Sequence, residues 1–214
     1  MGYSGRILGL LLSLLLTISM NGYLYWRIER VDSLALLLLP VFMVIGWGLG
    51  RKYDEVKFLS EKDVLTEIYN RRFIHDVLPK LMAMVVRRKE TLSLAVVDVD
   101  NFKLINDSYG HEVGDQVLQR LSHILTSQVR TSDIVARWGG DEFLIIAPFT
   151  DREGTEAFLD RIREDVHRLA QDMELMITIS IGTSVFPEDG RELRELIRVA
   201  DQKMYEQKGH MNKE

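Results

Sequence analysis

The chain has no cysteine, so disulfides, thiolate metal sites and cysteine nucleophiles are excluded. It has no excess of positive charge either. The formal net charge is −5 and the pI near 5.6, which argues against a nucleic-acid partner. Internal repeats and low-complexity tracts are missing, so solenoid and linker-like architectures drop out. What remains is room for one ordinary domain and accessory segments in 214 residues. Charge itself is unevenly spread: residues 1–50 hold little of it, and residues 51–214 hold most.

The amino-terminal scarcity of charge has a physical reading. Ile7 to Trp26 is an uncharged stretch rich in Leu and Ile. As a helix it would span about 30 Å, the thickness of a hydrocarbon core. Tyr23, Tyr25 and Trp26 crowd its far end, as interfacial aromatics do. A second apolar run, Ser33 to Gly50, contains Pro40 and three glycines, which bilayer helices tolerate. The expectation is two transmembrane helices, about 7–26 and 33–50, joined by a short polar connection around Arg27 and Arg30. A cleaved signal peptide is the competing reading, but no small-x-small site follows the first run. Arg6, Arg51 and Lys52 flank one side and Arg27 and Arg30 the other, so charge alone leaves the orientation open.

Residues 51–62 are charged with scattered apolar positions and read as a linker helix. Beyond it, 70–90, 111–130, 153–171 and 192–207 carry apolar residues at helical spacing. Strand signals fall at 92–97, 134–138, 143–147 and 175–185. That order predicts an α/β domain over 63–214, a central and mostly antiparallel sheet flanked by helices.

Two acidic clusters sit at the ends of predicted strands. Asp98-Val99-Asp100 closes one strand, and Arg137-Trp138-Gly139-Gly140-Asp141-Glu142-Phe143 reads as a hairpin with carboxylates at its tip. Gly139 and Gly140 are expected to supply positive φ and space for close approach. Either cluster alone is also consistent with a solvated turn. Together they suggest an oxygen-ligand site for Mg²⁺, with Mn²⁺ as its substitute, sharing its sphere with substrate phosphates.

The residues around these clusters resemble a known family. The run 98–115, DVDNFKLINDSYGHEVGD, looks like the D-x-D-x-F-K-x-x-N-D-x-x-G-H-x-x-G-D block of the GGDEF family, the diguanylate cyclases. Asp63-Val64-Leu65-Thr66 with Asn70-Arg71-Arg72 resembles the entry motif of that family. Ala200-Asp201, Tyr205 and Lys208 match its closing helix. The resemblance covers about residues 60–210 and implies the nucleotidyl cyclase-like, palm-type fold.

It further implies a homodimer that condenses two GTP into cyclic di-GMP and two pyrophosphates. Asp98, the Val99 carbonyl and Asp141 would hold the metal. Asp141 would help deprotonate the attacking 3′-hydroxyl and Glu142 would support the charge cluster. Backbone amides near Asn101 and Phe102, with Lys103 and Lys208, would hold triphosphate oxygens. Asn106 and Asp115 would read the guanine edge with His111 beside them; helix capping is the alternative for the first two, and capping or packing for the third. Arg130 and Asp133 resemble the R-x-x-D product-inhibition site of the family, with Arg161 as a candidate second arginine. A helix-end ion pair would also explain that pair.

An even number of spans and a GTP-using domain imply a multi-pass protein of a bacterial inner membrane, with lipid as a partner and the domain cytoplasmic. The loop between the spans is too short for a sensor domain. A non-catalytic receptor for cyclic di-GMP or GTP and a membrane adaptor are the alternatives. Glu67 and Ile68 stand where the entry motif has Gly-Leu, so a different turn is expected there. The usual G-R-N after the closing lysine is replaced by Gly209-His210-Met211, and the match stops before the last strand of the pattern. Lys213 is the candidate substitute for the absent arginine, and weaker triphosphate binding is expected.

Overall fold

The computed structural model describes residues 3–28 and 33–211. Arg30 in the polar connection and Lys213 in the tail lie outside the described residues. The chain divides into two compact units, Met1–Glu61 and Lys62–Glu214.

The first unit is a pair of antiparallel helices, α1 (Ser4–Ile28) and α2 (Ser33–Glu61). Their contact is made by small residues. A Cβ added to Gly9 would overlap the Gly46 carbonyl, and one added to Gly50 would overlap the Gly5 carbonyl. The backbones therefore touch directly, as small-residue spacing permits. The Ser13 hydroxyl donates across to the Phe42 carbonyl at 2.9 Å. At the start of α1, buried Asp54 of α2 accepts the N–H groups of Gly5 and Arg6 at 2.7 and 3.2 Å, satisfying donors a helix leaves open. Apolar side chains such as Leu8, Leu11, Leu12 and Leu15 face outward, exposed. Among the described residues one helix, Ser4–Arg27, is long and apolar enough to cross a membrane, with mean hydropathy 1.9. Helix α2 continues without interruption from Ser33 through the charged residues after Gly50 to Glu61.

The second unit is built on a five-stranded sheet ordered β1-β3-β4-β2-β5. The strands are β1 (Tyr69–Asn70), β2 (Leu92–Val99), β3 (Ile134–Arg137), β4 (Glu142–Pro148) and β5 (Ile179–Phe186). Only β1 and β3 run parallel. The helices are α3 (Arg71–Arg88), α4 (Phe102–Tyr109), α5 (His111–Gln128), α6 (Arg152–Met173) and α7 (Leu193–Met211).

Strand periodicity splits the core in two. Ala95, Val97, Phe143 and Ile145 pack with Val117, Leu121, Phe158 and Ile162 under α5 and α6. Leu94, Val96, Leu144 and Ile146 pack with Ile74, Leu78, Leu196 and Ala200 under α3 and α7. Because both faces are covered, the central strands read as continuous apolar runs. Burying each such side chain contributes about 1.5–3 kcal/mol.

Two elements were not expected from the sequence. Strand β1 has two residues, too few to show a period, and α4 is a separate short helix ahead of α5. It starts after Asn101, which takes φ 53°, and ends at Gly110, whose φ of 87° favours glycine.

Candidate active site

Strand register gathers the acids. Asp98, at the end of central β2, pairs with Glu142 on β4 and with Ser180 on β5. The Val99 N–H donates to the Asp141 carbonyl at 3.2 Å, holding the hairpin tip against the strand end. Side chains alternate, so Asp98 and Glu142 lie on the face of Leu94, Val96 and Leu144, which α7 covers. From α7 the Lys208 ammonium reaches Asp98 Oδ1 at 2.5 Å and Asp100 Oδ1 at 3.8 Å. Asp100 is fixed by β5 and the residue before that strand: Ser180 and Thr178 hydroxyls donate to it at 2.6 and 2.8 Å.

The electrostatics follow from this crowding. Desolvation raises the Asp98 carboxyl above the ordinary aspartate range; the Lys208 hydrogen bond and charge offset this only in part, while Asp141 and Asp100 repel it further. Glu142 is raised by desolvation and then by the charges of Asp98, Asp201 and Asp141. Asp201 is raised by desolvation. Lys208 goes the other way: desolvation favours its neutral form, but the Asp98 hydrogen bond and the charges of Asp98, Asp100 and Asp141 outweigh that and raise it. The site is a set of carboxylate oxygens whose mutual repulsion one ammonium relieves incompletely. Among the described residues no group of three acidic or imidazole side chains is placed to hold a metal ion, so the fit lies in the donor chemistry. An all-oxygen, over-negative set of this kind fits a hard divalent cation.

The placement of α7 depends on Gly182. A Cβ there would overlap the Ala200 carbonyl and lie 2.6 Å from the Met204 nitrogen, so β5 and α7 meet backbone to backbone. Asp201 and Lys208 are carried to the acids by that contact.

Gly139 and Gly140 act differently from the expectation of positive φ. Among the described glycines only Gly110 lies in the left-handed region. A Cβ on Gly139 would instead come within 2.6 Å of Glu142 Oε2, so this glycine makes room for the carboxylate, while Gly140 faces open space. The turn is closed by Trp138 and Gly139 N–H groups donating to the Glu142 carbonyl at 2.8 and 3.2 Å. Arg137 clamps it: Nε and one terminal nitrogen donate to the Gly140 carbonyl at 3.1 and 2.7 Å, and the other bonds Asp63 Oδ1 at 3.1 Å.

Asp63 heads the entry turn and also accepts the Thr66 amide and hydroxyl at 2.9 and 2.7 Å. Burial pushes its carboxyl up, but these bonds and Arg137 outweigh it and hold it below the ordinary range. Helix α5 anchors the same turn, with Gln119 and Ser122 donating to the Leu65 and Thr66 carbonyls. Glu67 sits at φ 57°, a conformation glycine adopts without strain. The turn is therefore formed, with strain at the substituted residue. Asn70 caps α3 through the Phe73 N–H at 3.0 Å.

The other expected site residues lie on α4, α5 and the following turn. Phe102 and Lys103 open α4, where the first N–H groups of a helix have no intrahelical partner. Phe102 and Asn106, both half-buried, pack on Gly114, where a Cβ would overlap the Asn106 side-chain oxygen. Neither Asn106 nor Asp115 caps a helix through its side chain; Gly110 is the N-cap of α5 and donates to the Asn106 carbonyl. His111 and Asp115 are exposed one turn apart on α5. Arg130 and Asp133 stand apart from the carboxylates. Asp133 accepts the Arg130 amide at 2.9 Å and no ion pair joins their side chains, while the Arg161 guanidinium bonds Gln128 and Ala157. Arg137, Asp100 and Asp201 have no role assigned from the sequence; all three lie inside the quoted runs, but only the fold gives them their neighbours.

Residues 60–214 match the family described as diguanylate cyclase, GGDEF domain. The chain is 34% identical over 191 residues to the probable diguanylate cyclase DgcT of Escherichia coli (strain K12), covering 87% of this chain and 41% of that protein. It is 35% identical over 165 residues to the response regulator PleD of Caulobacter vibrioides, covering 75% of this chain and 36% of that one. It thus spans about two-fifths or less of the length of these relatives. Among solved structures, the coiled coil and GGDEF domain of DgcB from Caulobacter crescentus in complex with c-di-GMP superposes with a TM-score of 0.71 at 26% identity, covering 84% of this chain and 96% of that one. With the family match over most of its length, the chain belongs to the GGDEF-domain family of diguanylate cyclases.

Proposed function

We propose that this protein is a membrane-anchored diguanylate cyclase that works as a homodimer. The observation that carries the reading is the pairing of Asp98 with Glu142 across β2 and β4, with Asp141 beside them and Lys208 as counter-charge. Each subunit holds one GTP. The 3′-oxygen of one nucleotide attacks the α-phosphorus of the other, a new P–O bond forms, the α–β bridging bond breaks and pyrophosphate departs. Repeating the step in the opposite sense closes cyclic di-GMP.

Asp98, the Val99 carbonyl and Asp141 would hold Mg²⁺, or Mn²⁺, which when bound supplies charge neutralisation at the reacting phosphate. Asp141 takes up the proton of the attacking hydroxyl, and Glu142 keeps the pocket negative enough to retain the cation. Lys208 would exchange Asp98 for triphosphate oxygens, together with Lys103 and the amides at the start of α4. Asp115 accepts from the guanine N1–H and N2–H₂ groups and Asn106 bonds the same base edge through its side-chain amide, with His111 at the same end. Positioning and electrostatics supply the rate. Arg130 and Asp133 form the product-inhibition site, the exposed guanidinium being suited to phosphate or guanine.

Residues 1–50 form two membrane helices, 51–62 the linker and 63–214 the catalytic domain. The outward-facing leucines of α1 and the backbone-close packing of α1 on α2 support this division. The membrane is the bacterial inner membrane and the domain is cytoplasmic, where GTP is.

The full chain in nanodiscs, given GTP and Mg²⁺ over a range of protein concentrations, is expected to yield cyclic di-GMP with specific activity rising with dimer content. Asp141→Ala should abolish it. A well-folded dimer that makes no product would overturn the reading, and product binding without turnover would make the protein a receptor.

A further inference from the structure

A pocket of about 380 Å³ lies on the α3/α7 side of the sheet, next to the signature hairpin but lined by none of the residues assigned to substrate. Arg71 and His75 come from α3, Arg194 and Arg198 from α7, Trp138 from the hairpin, and Asp201 stands at one edge. Arg194 and Arg198 are one helical turn apart, so their side chains project from the same face. The Arg71 guanidinium stacks on the Trp138 ring at 4.5 Å, and His75 lies 5.5 Å from the same ring. Among the described residues none of the three guanidiniums is in an ion pair. Three guanidiniums thus face one concavity whose lining holds a single carboxylate, Asp201, so the pocket carries a net positive charge.

We infer that this pocket is a second anion site, which takes a diphosphate-bearing ligand between the guanidiniums of Arg71, Arg194 and Arg198. Two adjacent phosphates match three forked donors better than a single carboxylate does, because each guanidinium can engage phosphate oxygens in pairs. The apolar floor of Leu193 and Ile197 and the Trp138 ring leave room for a base or ribose beside the phosphates. Occupation would be felt at the hairpin, because the Trp138 N–H donates to the Glu142 carbonyl. The diphosphate could come from free pyrophosphate or from a guanine nucleotide, and the two sources share this recognition chemistry.

The test uses the full chain in nanodiscs with Trp26→Phe and Trp47→Phe, leaving Trp138 as the one indole of the three in the sequence. Pyrophosphate and GTP are titrated separately, without divalent metal, following Trp138 fluorescence and calorimetric heat. Saturable quenching by pyrophosphate is expected. It should weaken at least tenfold in Arg194→Ala/Arg198→Ala and partly recover in the corresponding double lysine variant. GTP quenching that is tighter than that of pyrophosphate and weakens with it in Arg194→Ala/Arg198→Ala would identify the nucleotide as the source. The proposal is overturned if neither diphosphate ligand perturbs Trp138, or if the double alanine variant binds both as the parent does. No turnover is involved, so failure of this site and failure of the cyclase reading are separate results.

Discussion

The acids of the entry turn and those of the β2–β4 edge belong to one domain and are held in opposite ways. Asp63 is surrounded by donors, and its carboxyl ionises more readily than usual. Asp189 is similar: burial acts against its charge, but the Val185 amide, Arg152 and Lys203 outweigh that and lower it. Asp98 and Glu142 are instead desolvated, then crowded by other carboxylates, and ionise less readily. A carboxylate with its partners supplied holds the fold together. A carboxylate set short of positive charge stores repulsion that an arriving cation can release.

Arg137 joins the two regions, so removing it should give the largest effect. Arg137→Ala frees the Gly140 carbonyl and Asp63 together, and a misplaced hairpin tip is expected to lower kcat about 100-fold while KM for GTP changes little. Arg137→Lys should not restore it, since one ammonium cannot bridge both acceptors. An equal loss in thermal stability without a kcat effect would show that the clamp is only structural.

Next in size is the response to metal. At about 100 times its dissociation constant, Mg²⁺ should raise the unfolding free energy by about 2.7 kcal/mol. Asp98→Asn should remove that gain and Asp63→Asn should keep it; calorimetry with and without chelator decides. Asp63→Asn itself should destabilise by about 1–3 kcal/mol, as a half-buried arginine loses its partner. If its thermal midpoint is unchanged, the entry turn does not need the ion pair.

Glu67→Gly should stabilise by about 1 kcal/mol by relieving left-handed backbone, measured by chemical denaturation. The smallest effect concerns pH. The stabilisation from Asp63 and Asp189 is present above their unfolded pKa and is lost as pH falls through their lowered folded values. Asp98 and Glu142 run oppositely: the folded state retains their protons longer, so their contribution declines as pH rises through their raised values. Glu142→Gln should therefore gain a little stability at neutral pH relative to acid, and a flat difference across that range would contradict the crowding argument.

Much of this domain was legible in the sequence because its signals are periodic or motif-like. The helices starting near Asn70, His111 and Glu153 and the strand from Leu92 follow from apolar spacing, and the acids were found from the two runs that contain them. The turn glycines differ from the expectation of positive φ. Gly139 yields space to the Glu142 side chain and not a left-handed angle, a distinction that requires knowing where that carboxylate lies. Strand β1 and α4 were too short to announce themselves. Arg137 looked like one more residue of a strand, since its acceptors are at Gly140 and, across 74 positions, at Asp63.

By itself the sequence determined the order of the elements, the two apolar amino-terminal runs and which residue types could hold phosphate and metal, because local periodicity and motif chemistry are carried along the chain. Only the tertiary structure decided that Asp98 faces Glu142, that Lys208 is the counter-charge and that three arginines from two helices share a pocket with Trp138. Those facts depend on strand register and on how closely α7 approaches β5 over Gly182, and such long-range contacts are fixed by packing, not by neighbours in sequence.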